Sequence, residues 1–373
     1  MFPKGLNMTK IFKVVSLVIL CLALSSAMSL ATFAQTEKDS GILCVSHGGD
    51  TAVYESNTKD SVLSAFDKGA DFVSVNIRKN TDGELVLCSE NQAEISGISL
   101  VEMIRLLGEE NVLILDFADE LRDEIYGIIE NENAFSVAVM RINDKASAIT
   151  EWLGDKNENL QVIGVYDSFV VFTAVSHIKT LGAAGMKIVA YESKNYFNEM
   201  FGSLVSKTIK SKNMPKAMVL TYDPALCGQR SDSEDGWNDL IKKGFSVIET
   251  NNLDAFMGYI NSNNSIGLEL KEAYDKAVLI DTEKYNAVSK ENLLDAIAVA
   301  EELLSSDFAS NDELQKCVAD IRLATENLAL ETGEDAQKGA LNVTAGKVIA
   351  AVLVGIAIFT AQIYTYKMQK KKK

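Results

Sequence analysis

Few residues in this sequence combine a reactive type with a spacing that chemistry could use. Two histidines are present, His47 in "VSHGGD" and His177 in "VFTAVSHIKTL". His47 closes a β-rich run, so it is either a structural strand-end histidine or part of a binding pocket; His177 falls in the middle of a helical pattern. In "SVNIRK" the two-residue period of a strand puts Ser74, Asn76 and Arg78 on one side, with Arg78 nearest the strand's end. Arg141 follows a second β-rich run. Two guanidiniums at one opening would bind an anion without a metal; the alternative, in a chain rich in acids, is that each pairs with a nearby carboxylate. Thr81, Asp82 and Gly83 read as a hairpin turn.

The elements that must position these residues recur with a regular rhythm. Eight β-rich runs stand at 42–47, 72–77, 112–117, 135–140, 161–166, 187–191, 217–222 and 246–250. Between them lie stretches such as "SLVEMIRLLG", "ELRDEIYGIIEN" and "GWNDLIKKG", with apolar residues three and four apart. Alternating strands and helices imply a parallel sheet, and eight units in this length match an α/β fold of the (β/α)8 TIM-barrel type. An open doubly wound sheet would fit the alternation too, but no GxGxxG or Walker loop follows any run. In a barrel, Ser74 and Asn76 are expected at the solvent-facing end of the second strand, where acidic substitutions would be tolerated.

With the barrel in view, residues 41–262 resemble the glycerophosphodiester phosphodiesterase family. Its barrels carry an HRG motif after the first strand, a PENT-type motif leading into "AF", an ExD pair on the second strand, a TxDG turn and then an HD. Here "VSHGGD", "KDSVLSAFDKGAD" and "SVNIRKNTDGELVLCSE" stand in those places. "SLVEMIRLL" followed by "VLILDFAD" is similar to the family's "TLEEVLELL" and "IEIK", and "GFSVIETNN" to its last strand.

The resemblance implies a site whose chemistry has been altered. The family's metal-ligand positions correspond to Ser74, Asn76 and Asp116, and the PENT acid to Asp60. The catalytic histidine of HRG is retained as His47, with Gly48 in place of the arginine, but the second histidine position is Ser89, followed by Glu90. A hard divalent cation needs several oxygens, preferably charged, and this set offers one carboxylate. No cofactor is therefore expected; calcium or magnesium belongs to the alternative, an active metal-dependent glycerophosphodiester phosphodiesterase. Losing the metal forfeits several kcal/mol of charge stabilisation, and losing a general acid or base costs a further ~10²- to 10⁴-fold in rate. The expected protein is a catalytically degenerate surface protein that binds a ligand or partner.

After Ile260 the composition turns helical. Residues 267–330 form a small all-α module, with Asp281 or Thr282, Ser289 and Asn311 as candidate caps. "KYNAVSKENLLDAIAVAEELL" resembles the FIVAR repeats of Gram-positive surface proteins, three-helix units that serve as spacers or attachment modules. Residues 331–346 read as a polar stalk.

Both ends point to export. Residues 1–34 carry Lys4, Lys10 and Lys13, an apolar run and small residues before Gln35, which reads as a signal peptide cut after Ala34 or Ala31, with Met8 as an alternative start. Residues 347–367 frame 19 uncharged positions, Val348 to Tyr366, long enough for a C-terminal transmembrane helix, and the lysine tail at 368–373 marks the cytoplasmic side. Without the three leader lysines and the five from Lys367 onward, 28 basic residues face 52 acidic ones, about −24. Nucleic acid is therefore excluded as a partner, as is an anionic membrane surface. The expected location is a Gram-positive cell surface, single-pass, near a wall or surface ligand. Cys44, Cys88, Cys227 and Cys317 have no zinc spacing and read as buried thiols, although export would permit a Cys44–Cys88 bridge.

This topology predicts that protease added to intact cells removes the barrel and leaves a small membrane-bound stub. A barrel cleaved only after lysis would reverse the orientation.

Overall fold

A sheet becomes a barrel only when its last strand finds its first. The computed structural model describes residues 41–88, 95–166, 171–191, 205–211, 213–221, 232–306 and 309–330. Among them, eight strands pair in parallel: β1 (Leu43–His47), β2 (Phe72–Lys79), β4 (Val112–Phe117), β5 (Ala138–Ile142), β6 (Gln161–Tyr166), β7 (Ile188–Tyr191), β8 (Lys216–Leu220) and β9 (Phe245–Thr250). β9 closes the ring on β1, with Leu43 opposite Val247 and Val45 opposite Glu249. The short β3 (Leu85–Leu87) is antiparallel to β2.

Alternation along each strand divides the apolar residues into two layers. Val45, Phe72, Ile114, Val139, Ile163 and Val247 belong to a cluster of thirteen residues at the barrel's centre. Their neighbours in sequence face outward and join a larger cluster with the helices α1 (Lys59–Asp67), α2 (Leu100–Leu106), α3 (Arg122–Asn131), α4 (Ala146–Leu153), α5 (Val171–Ala183) and α6 (Glu234–Lys243). Central strands buried on both faces read as continuous apolar runs, which is why they stand out in the sequence.

One local detail differs from the sequence expectation, and a second adds to it. The fifth strand begins three residues later than its apolar run, because Asn133 turns the chain at φ 50° and both Val137 and Ala138 donate backbone N–H to the Ala134 carbonyl. Phe135 therefore belongs to a turn packed on the core, and Arg141 comes to lie inside the strand. In the β2–β3 hairpin, Asn80 organises the turn: its Oδ1 accepts from Asp82 N at 3.1 Å and Glu84 N at 2.8 Å.

The chain divides into two compact units, one ending at Ser265 and also containing 306–312, the other containing 266–305 and the segment from Glu313. α7 (Leu253–Ala277) supplies helix to both, and α8 (Ala287–Leu304) and α9 (Asn311–Glu326) complete the helical set. Asn286 caps α8 by accepting from Ser289 N at 3.0 Å, so Ser289 lies inside the helix and does not cap it, and Asn311 is the first residue of α9. Asp281 caps a short 3-10 turn, accepting from Glu283 N. Cys44, Cys88 and Cys317 are buried free thiols, so no Cys44–Cys88 bridge forms. The signal segment 1–34, the stalk, the 347–367 segment, the lysine tail and Cys227 lie outside the described residues. Among the described residues no helix is long and apolar enough to cross a membrane.

Gly49, in the loop after β1, adopts φ +91°, and a Cβ there would meet the backbone carbonyl carbon of Ser61 at 2.5 Å. Gly185 has a similar φ of +89° with open space around it. Gly185→Ala should therefore cost only the left-handed strain of roughly 1–2 kcal/mol, whereas Gly49→Ala adds an overpacking cost of about 1–3 kcal/mol. Urea unfolding of the two variants measures the difference, and equal losses would mean that the loop does not press on α1.

Candidate functional site

The period of two that fills the barrel with apolar side chains also builds a polar layer above them. Two residues beyond Val45, Phe72, Ile114, Val139 and Val247, on the same face of each strand, stand His47, Ser74, Asp116, Arg141 and Glu249. His47, Asp116, Arg141 and Glu249 lie toward the C-terminal ends of their strands, the end at which barrel enzymes carry their sites, and Ser74 of the longer β2 is in register with His47.

Glu249 is the hub. Its side chain has no solvent exposure. Arg141 Nη2 donates to Oε2 at 2.5 Å, while Oε1 accepts from the Ser74 hydroxyl and lies 3.1 Å from His47 Nδ1. Arg141 Nη1 also donates to Asp116 Oδ2 at 2.9 Å. A carboxylate only accepts, so the His47 nitrogen facing it carries a proton. Burial alone would raise the Glu249 carboxyl; the Arg141 charge, the hydrogen bond and charge of His47 and the Ser74 hydroxyl bring it down to about 2.

The loop after β1 is fitted closely to this layer. Gly48 N donates to the Ser74 carbonyl and Asn57 N to the Gly48 carbonyl, both at 2.8 Å, and Asn57 Oδ1 accepts from Asn76 N at 2.7 Å. Gly48 has φ +69°, and a Cβ on it would stand 2.0 Å from Ser56 Oγ. Position 48, an arginine in the family resemblance, thus has its side-chain space taken by Ser56.

The residues singled out in the sequence fall into three groups. His47, Ser74, Asp116 and Arg141 meet in the layer. Ser74 is fully buried, not solvent-facing as expected, because the β1 loop and Glu249 cover it. Arg141 is held between two carboxylates. Asn76 is half-buried and pairs in register with Asp116, and Arg78 lies farther along β2, opposite Val86 of β3. Asp60 is exposed in the first turn of α1, and it is Asn57 from that segment that reaches β2. His177 sits on α5 with its ring 5.2 Å from that of Tyr166, away from the layer, and burial lowers its pKa. Ser89 and Glu90 lie outside the described residues.

Glu249 is the member that sequence reasoning missed. Its signal was an acid in "FSVIET" at the inward position two after Val247, legible only once β9 is known to close on β1.

The donor set does not fit the divalent metal that the resemblance implies. Both oxygens of Glu249 and one of Asp116 are engaged by protein donors, and the positive charge they require comes from Arg141. Among the described residues no group of three or more His, Cys, Asp or Glu side chains is placed to hold a metal ion.

The fold and the layer together define a (β/α)8 barrel with a polar mouth whose charged side chains pair with one another. No family model matches the chain, and no curated protein matches it. Among solved structures it is similar to glycerophosphodiester phosphodiesterases. The enzyme from Thermotoga maritima shares 14% identity at a TM-score of 0.43, covering 58% of this chain and 97% of that one. One from Parabacteroides distasonis shares 14% at 0.45, covering 56% and 82%. A third, from Agrobacterium tumefaciens, shares 12% at 0.43, covering 58% and 99%.

The hub sets a pH dependence with a definite sign. Because the Glu249 carboxyl falls from an ordinary 4.5 to about 2 on folding, its contribution is complete above pH 4.5 and is lost as the pH drops through 2. Glu249→Gln should destabilise the barrel by about 3 kcal/mol at pH 7, since it leaves Arg141 short of a buried partner. Urea titrations from pH 7 to 2 should show that deficit shrinking below pH 4.5. A deficit that stays constant down to pH 2 would show that Glu249 is not held ionised by its neighbours.

Proposed function

We propose that this chain is a membrane-anchored extracellular protein whose glycerophosphodiester phosphodiesterase-like barrel is catalytically degenerate and serves to bind a surface ligand or partner. The observation that carries this reading is the Arg141 guanidinium shared between Asp116 and Glu249. A phosphodiesterase of this type needs its carboxylates for a divalent cation that neutralises phosphoryl charge, a contribution of several kcal/mol. Here Asp116 and the buried Glu249 share the single Arg141 guanidinium, so a phosphate anion entering the layer would meet a positive charge already outnumbered by carboxylates. The mouth therefore works without a metal cofactor.

The surrounding assignments rest on the sequence. The leader and the 347–367 segment export the body and tether it through the membrane, with the lysine tail inside the cell. The FIVAR-like module sets the barrel off from the bilayer on what we take to be a Gram-positive surface, where a wall component or another surface protein is the partner. The strong negative charge keeps nucleic acid out of the list.

One observation favours the second reading, an active glycerophosphodiester phosphodiesterase with an altered site. His47 keeps a carboxylate on Nδ1, which fixes ring and tautomer as for a positioned general base. The two readings separate in one assay of the full chain on glycerophosphodiesters with calcium, magnesium, manganese or zinc, beside a His47→Ala control. Degeneracy predicts no turnover above blank under any of these conditions; metal-dependent turnover that His47→Ala abolishes would establish the enzyme.

A further inference from the structure

The unit from Ile266 to Ser305 and onward from Glu313 has a well-satisfied interior. Leu270, Leu293, Ala300, Val318 and Ile321 are buried in it, and many of its surface charges are matched internally, as in Glu269–Arg322, Lys271–Asp275 and Lys290–Glu283. A groove marks one face. Ser289 near the start of α8 bonds to Ala329 just past α9, so the two helices run antiparallel with a groove between them.

Along α8 the groove is lined by Ser289, Asn292, Ala296 and Val299, spaced 3, 4 and 3. Along α9 it is lined by Cys317, Asp320, Ala324 and Asn327, with the same spacing. Each set is one stripe of a helix, and together they border a cleft of about 340 Å³ that runs for roughly 15 Å, the rise of ten helical residues. Small side chains keep the cleft open, and Val299 and Leu323 expose about half their surface beside it. Asp295 and Asp320 stand on its two sides, and neither forms an ion pair among the described residues.

We propose that this groove is a docking site for a cationic amphipathic helix of about three turns, which would lie between α8 and α9 as the fourth member of a bundle. Helix pairs take a further helix when small residues allow close approach and the seam is apolar. Val299, Leu323, Ala296 and Ala324 supply that seam, and the two unmatched aspartates select lysine or arginine on the flanks of the guest. The charges also argue against a second copy as occupant. Acids outnumber bases between residues 266 and 330, so two such grooves face to face would bring like charges together.

The probe is a labelled fourteen-residue helical peptide with leucine and alanine on one face and lysine on its flanks, titrated into the full chain in a neutral detergent. Binding should weaken about fivefold when Asp295→Asn and Asp320→Asn are combined, since exposed pairs contribute modestly. It should be lost with Ala324→Trp, which fills the cleft, while circular dichroism stays unchanged. A matched peptide with glutamate in place of lysine should not bind. The proposal is overturned if the lysine peptide fails to bind, if it binds the chain and both variants equally, or if the chain alone forms a dimer that Ala324→Trp dissolves.

Discussion

A carboxylate without solvent exposure must find its counter-charge inside the protein, and the barrel is arranged around that requirement at Glu249. The cost of stripping water from one such ion is several kcal/mol, recovered only with an opposite charge in good geometry and with the remaining lone pairs satisfied. Arg141 supplies the charge, and Ser74 and His47 supply donors to the other oxygen. Arg141 has a second fork, and Asp116 takes it. Five strands, including the first and last of the ring, therefore meet in one network, so closure of the barrel and ionisation of its centre are coupled.

The same network fills the mouth with internal contacts. Three of the four carboxylate oxygens of Glu249 and Asp116 have donors within the protein. The β1 loop reinforces the arrangement, because Ser56 occupies the space that a side chain at position 48 would need, and Asn57 ties the loop to the backbone of Asn76. Reopening the layer would require exchanging Ser56, whose hydroxyl fills that space, as well as the paired side chains.

The barrel was legible because buried parallel strands leave continuous apolar runs; the period of two put Ser74 in view, the end of a β-rich run Arg141, and the family resemblance Asp116. The displaced start of β5 was not legible: Phe135 looks like strand and is held in a turn by Asn133, whose left-handed backbone leaves little trace in a single sequence. The site was legible as residue types and illegible as partners. His47 and Glu249 lie 202 positions apart and meet only through the β1–β9 closure. The two readings of Arg141, anion binder or ion-paired residue, could not be separated without knowing which carboxylates face it.

The helical unit obeys the opposite logic. A residue such as Leu293 or Ala300 is explained once the core is described, and so is each charge with a partner in the same unit. Ala296, Ala324 and the exposed Val299 and Leu323 are not explained in this way, since larger or more polar residues at those positions would serve the unit's own core and solubility as well or better. In the barrel the charged groups of the mouth pair with one another, whereas Asp295 and Asp320 beside the α8–α9 groove form no ion pair among the described residues. On the helix face between α8 and α9, two aspartates without ion pairs and the half-exposed Val299 and Leu323 lie together.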